Sequence, residues 1–187
     1  LVAAGGVAEA SAPAATLTQD ELNAIADVAI SRWMDALGED ARLGALGGLR
    51  FAVTDLPGAE LAREEGGTIT LDADAAGYGW FVDTTPYDSS EFALRTDDDV
   101  LTATGGSAAF GAMDLLTAVA HEIGHALGFG HDDGLAVMRD ELAPGVRYEV
   151  DAGTAAAKPA PAPSAPAFDA FAGYGGAGTH AGIDWQA

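Results

Sequence analysis

The chain has 187 residues, 49% of them hydrophobic, enough to bury one sizeable core. Its 29 acidic against 8 basic residues give a formal charge of −21, which argues against nucleic acid as a partner because such a surface repels phosphate backbones. No apolar run reaches bilayer length, so no membrane span is expected, and the lack of cysteine excludes disulfides and thiolate ligands.

Residues 1–16, rich in Ala, Gly and Pro, read as a flexible leader without the basic start of a signal peptide. Leu1 in first place, rather than Met, fits a piece of a longer precursor. A helix follows, with Thr18 as N-cap and Glu21 three positions later in a capping-box pattern. Leu22, Ile25, Val28, Ala29, Trp33 and Leu37 recur at helical spacing as its buried stripe, and Gly38 helps to end it. LRFAVTDL (49–56) alternates like a strand before the Pro57-Gly58 turn, and GGTITLDAD (66–74) reads as a second strand, with a short piece around Glu60–Arg63 between them. Residues 75–110 are rich in Gly, Asp and Thr and are expected to be irregular, a length of loop that usually serves a function or an ion. Helix returns at Ala112–Phe129, where Leu115, Leu116, Val119, Ile123, Ala126 and Leu127 supply a broad apolar face. A last short helix or turn is expected at Asp140–Ala143 or Tyr148–Ala157. The main domain is therefore placed at 17–157, followed by a Pro/Ala linker at 158–167 and a Gly-rich tail at 168–187.

The second long helix carries AHEIGHALGFGHDDGLAVM (120–138), with three of the four histidines of the chain. Four residues apart on a helix, His121 and His125 project from one face on successive turns, a spacing at which two imidazoles can reach one zinc. Glu122 lies beside the first of them, positioned to take a proton from water without ligating the metal. Gly128 can adopt the left-handed conformation that ends a helix and turns the chain, bringing His131 back as a third ligand. Three protein ligands leave one position open, the form of a catalytic rather than a structural zinc site.

The run His121 to His131 follows HExxHxxGxxH, and with Met138 seven residues later it resembles the metzincin zinc peptidases, which share this signature and a Met-turn. The short step to the methionine is most similar to the matrixin branch, the matrix metalloproteinases and their bacterial relatives. The resemblance covers about residues 17–150, carried upstream by GGxxxLDxD and AGYGWFVDTTPYDSSEF. It implies an α+β fold, a small twisted mixed sheet packed on two long helices with the zinc cleft at the sheet edge. It implies His121, His125 and His131 as zinc ligands, Glu122 as general base and Met138 as a hydrophobic floor beneath them. It also implies a secreted or cell-surface protein that is part of a longer bacterial precursor. Departures are plain: residues 1–120 hold no histidine for a second, structural zinc, and no cysteine switch is possible. Asp132 stands where typical matrixins have serine, similar to the reprolysin branch, and Pro144 lies six residues past Met138.

Asp72, Asp74, Asp83, Asp88 and Glu91 are candidate ligands for a structural calcium ion, which prefers carboxylate oxygens; solvated loop carboxylates are the alternative. Asp132 is either a partner that orients a zinc histidine or a turn residue. Tyr148 reads as a packing aromatic, His180 as an exposed tail residue, and Trp33 and Trp80 as core anchors. Together these expectations describe a zinc endopeptidase whose polypeptide substrate could be its own chain. The alternatives are a self-processing module of a larger secreted protein and a non-catalytic, calcium-dependent adhesion or interaction module.

Overall fold

A computed structural model describes residues 1–9, 14–97 and 99–160; most of the Pro/Ala linker, the Gly-rich tail and His180 lie outside the described residues. The first long helix, α1 (Gln19–Leu37), starts at Thr18, whose hydroxyl and backbone exchange hydrogen bonds with Glu21 as a complete capping box. It ends where Gly38 takes a φ of +61°. Leu22, Ile25, Val28, Ala29, Trp33 and Leu37 are all buried along one face, each large side chain contributing roughly 1.5–3 kcal/mol by leaving water.

That face packs against a three-stranded mixed sheet and a second helix, α2 (Leu115–Ala126). Strand β2 (Arg50–Thr54) runs parallel to β4 (Thr68–Asp72), and β3 (Ala62–Glu65) pairs antiparallel with the other side of β4. Gly66 and Gly67 join β3 to β4 with positive φ at both positions, the two-residue hairpin geometry that matches strand twist. The resulting order β2-β4-β3 makes β3 an edge strand, and α2 packs across β3 and β4. The molecule is thus a mixed α+β fold with one main core between α1, α2 and this sheet.

Two regions depart from expectation. Residues 75–110 are not irregular throughout. They contain β5 (Trp80–Phe81), β6 (Leu94–Asp97) and β7 (Val100–Thr102), over a satellite core of Phe81, Phe92, Leu101, Ala103 and Ala109. Their partners lie far along the chain: β5 pairs with β8 (Met113–Asp114), and β7 with β10 (Val146–Tyr148). The described part of the expected flexible leader is docked instead. Its strand β1 (Val2–Ala3) runs parallel to β9 (Glu141–Leu142), which occupies part of the segment read as a possible short helix. The helix expected at the end of the domain is α3 (Ala152–Ala157), capped by Asp151. Among the described residues no helix is long and apolar enough to cross a membrane.

Candidate metal centre

Helix α2 starts three residues later than its apolar pattern suggests, because Asp114 caps it by accepting from the backbone N–H and hydroxyl of Thr117. At its other end Gly128 takes a φ of +86°. The N–H of Gly128 bonds back to His125 O and that of Phe129 to Gly124 O, the paired closure of a Schellman cap. This cap reverses the chain so that His131 faces the helix it has just left. The three imidazoles then converge: His121 Nε2 lies 3.0 Å from His125 Nε2, which lies 3.2 Å from His131 Nε2.

Two further contacts set the protonation of these rings. His121 Nδ1 lies 2.8 Å from Val137 O, and His125 Nδ1 lies 3.0 Å from Phe129 O. A carbonyl only accepts, so both Nδ1 atoms carry the hydrogen, and in the neutral ring Nε2 is then the atom that presents a lone pair. Two lone pairs 3.0 Å apart repel unless a cation sits between them. Burial, and then the nearby Leu1 ammonium, hold His121 down at a pKa of about 3, so this ring is itself neutral at neutral pH. A tetrahedral ion with bonds of about 2.0–2.1 Å separates its ligand nitrogens by roughly 3.3 Å, close to the spacings found. His121, His125 and His131 therefore form a possible metal site by donor chemistry as well as by position.

The floor of the site is built by a single turn of 3-10 helix, Ala136–Met138. Val137 supplies the carbonyl that fixes the His121 ring, and Met138 is fully buried under α2. A Cβ added to Gly124 would lie 2.3 Å from Met138 Sδ and 3.0 Å from Trp33 Cζ2. Gly124, to which the motif assigns no role, is thus the residue that lets the methionine approach the helix between the two histidine turns. Its signal in the sequence is the presence of a glycine in a helix interior, which costs about 0.5–1 kcal/mol relative to alanine unless packing demands it. Trp33 also pins this turn of the helix, donating from Nε1 to Ala120 O at 2.8 Å.

Glu122 is 1% exposed. Burial pushes its carboxyl above the ordinary value, with the Leu1 ammonium, 3.2 Å from Oε1, acting in the opposite direction. A groove of about 530 Å³ opens beside it, lined by His125 and by Ala62, Arg63 and Glu64 of the edge strand β3.

The five candidate calcium ligands are not gathered into one group. Among the described residues, the convergent set of possible metal ligands is the histidine triad alone. Asp72 is buried and accepts from the backbone N–H groups of Leu56, Asp74 and Ala76, so it organises its own loop. Asp74 accepts from Gly77 N, Asp88 from Ser90, and Glu91 from the Ser90 hydroxyl. Asp83 pairs at 2.8 Å with Arg147, whose guanidinium also takes both oxygens of Asp114 and lies 4.3 Å over the Phe92 ring. Burial works to lower the Arg147 pKa, but the two carboxylates outweigh it and raise it. The cation between Asp83 and Asp114 is a side chain.

Asp132 is exposed, and it is its neighbour Asp133 that holds the loop of the third histidine. Asp133 accepts from Gly130 N at 2.6 Å and pairs with Lys158, which also donates to Gly128 O. Tyr148 is buried, with its hydroxyl 3.4 Å from Glu141 O, a packing role. Trp33 and Trp80 are both anchored through their indole N–H groups to backbone carbonyls. No family model matches the chain, and neither a curated protein nor a solved structure matches it.

Proposed function

We propose that this chain is a zinc-dependent endopeptidase of metzincin type, with His121, His125 and His131 as the metal ligands and Glu122 as the general base. The observation that carries the reading is the meeting of three inward-facing imidazole nitrogens with a buried carboxyl beside a groove at a sheet edge. Three imidazoles suit zinc among the borderline metals, and a bound zinc would supply acidified water and polarise the carbonyl under attack.

The remaining work falls to the chain itself. The outer edge of β3 lines the groove, and an extended peptide would lie along it as an added strand. Strand pairing fixes the direction and register of that peptide and brings one of its peptide bonds to Glu122. Burial raises the Glu122 pKa above the ordinary carboxyl value, which favours a group that accepts a proton at Oε1 or Oε2 and passes it on. Val137 O and Phe129 O hold two histidine rings in the tautomer that keeps Nε2 free.

Metal analysis of the purified protein, joined to cleavage of a peptide library with Glu122→Ala as control, tests the proposal. About one zinc per chain and cleavage that disappears in the variant are expected. A protein that takes up no zinc, or that cleaves equally well without Glu122, is not this enzyme.

A further inference from the structure

Lys158 is the one lysine of the chain, its other basic residues being arginines, and it lies well beyond the run from His121 to Met138. It is the C-cap residue of α3, and its ammonium reaches back to the segment that carries the third histidine. That segment is short: Gly128 turns the chain after α2, and Asp133 lies two residues past His131. Lys158 Nζ donates to Gly128 O at 2.8 Å and pairs with the Asp133 carboxylate, so it joins the two ends of the loop. Asp133 Oδ2 also accepts from Gly130 N at 2.6 Å, one residue before the ligand.

The need for such a tie follows from the ring it serves. His121 and His125 are each held through Nδ1 by a backbone carbonyl. His131 is exposed, and among the described residues no carbonyl holds its Nδ1. Its place is therefore set by the backbone of its loop. The same ammonium lies 5.0 Å from the centre of the Phe129 ring, and Arg42 lies 4.6 Å from it. Phe129 stacks on Trp33, and its carbonyl is the one that holds His125. Arg42, paired with Asp40, also donates from Nη2 to Ala155 O at 3.3 Å. Helix α3 is thus itself tied down three residues before it presents Lys158.

A metal ion needs all three ligands at once, so any time the third spends out of place lowers the affinity by that fraction. We propose that Lys158 is a positioning residue for the metal centre: it clasps the loop of His131 from outside the motif and so raises the affinity of the three histidines for a divalent cation. The inference rests on the metal-site reading of His121, His125 and His131 and not on peptide hydrolysis.

Charge gives the test its sign. A positive side chain in this neighbourhood repels a divalent cation, so Coulomb's law alone has zinc bind more tightly once that charge is removed. The clasp requires the opposite. Zinc dissociation constants are measured by competition with a chelating dye on the parent and on Lys158→Met, at a temperature where circular dichroism shows both metal-free proteins folded. The variant should bind about 10–100-fold more weakly, the usual loss when a partner that supports a metal ligand is removed. Unchanged or tighter binding overturns the inference even if the variant melts earlier, since a merely structural contact moves the melting temperature and leaves the affinity alone. A parent that takes up no zinc overturns the metal-site reading and the inference with it, whereas a parent and variant that bind equally overturn the inference alone. If Lys158→Met does not fold, acetylation of the parent decides. Linkage is reciprocal, so bound zinc should hold the clasp closed and slow acetylation of Lys158, read at that one residue by mass spectrometry, by about tenfold. Equal rates with and without zinc overturn the inference.

Discussion

The two ends of helix α2 solve opposite electrostatic problems. At its start, Asp83 and Asp114 converge in a buried place, and Arg147 lies between them with every carboxylate contact near 2.8–2.9 Å. At its end, three imidazole nitrogens converge within 4.8 Å of one another, and among the described residues no side-chain cation pairs with them. Gathered acidic ligands thus do not by themselves mark a metal, because the fold can provide its own counter-ion. Gathered imidazole nitrogens, with two of the rings held through Nδ1 by backbone carbonyls, form a possible metal site instead. The first arrangement fixes the loop carrying Asp83 against the helix; the second turns three donor atoms toward one point.

The largest expected effect breaks the histidine end. Glu122→Gln should keep the metal, since no ligand is altered, and lower peptide cleavage by about 10²–10⁴, the usual contribution of a positioned general base. His125→Ala should lose the metal and the activity together, so zinc content measured beside cleavage separates the two roles. A Glu122→Gln protein that cleaves at the parental rate would remove the base from the proposal.

Next comes the other end. Arg147→Met leaves Asp83 and Asp114 buried without their cation and should cost about 3–5 kcal/mol of folding stability by denaturant titration. A loss below about 1 kcal/mol would mean that these carboxylates are solvated or protonated, and the contrast between the two ends would fail.

Gly124→Ala sharpens the comparison inside the helix. Alanine is worth up to about 1 kcal/mol over glycine in a helix interior, but its Cβ collides with Met138, an overpacking that costs roughly 1–3 kcal/mol. A net loss of stability is expected in the parent, and a much smaller loss or a gain in a Met138→Ala background. A loss of the same size in both backgrounds would show that the methionine is not what requires the glycine.

How much of this was legible in the sequence depended on how local the signal was. The capping box at Thr18, the periodic stripe of α1 and the glycine after the second histidine turn each lie within a few residues of what they determine, and each is found in place. The strands within 75–110 run only two to four residues, too short to show alternation, and β5 and β7 pair with segments more than thirty residues away. Strand β1 has no periodicity of its own; it exists because β9 and the residues before β3 supply partners on both sides. Arg147 is one basic residue among 8, and nothing near it in the chain announces two buried aspartates. The acidic residues of the Gly-rich stretch suggested an ion because composition reports charge and is silent about its partner.

The smallest expected effect concerns the adjacent pair Asp132 and Asp133, of which the sequence pointed to Asp132 and the structure to Asp133. Asp133 holds the loop of His131, and its carboxyl lies below the ordinary range because it accepts from Gly130 N and then because it faces Lys158. A carboxyl with a lowered folded pKa contributes stability above its unfolded value, near pH 4, and loses that contribution as the pH falls through the folded value. Asp133→Asn should therefore melt slightly below the parent at neutral pH, by less than about 1 kcal/mol for a partly exposed pair, and the two curves should converge in acid. Asp132→Asn should match the parent throughout. If the two substitutions behave alike at every pH, Asp133 is not the residue that steadies the third ligand, and the loop must owe its shape to the Gly128 cap alone.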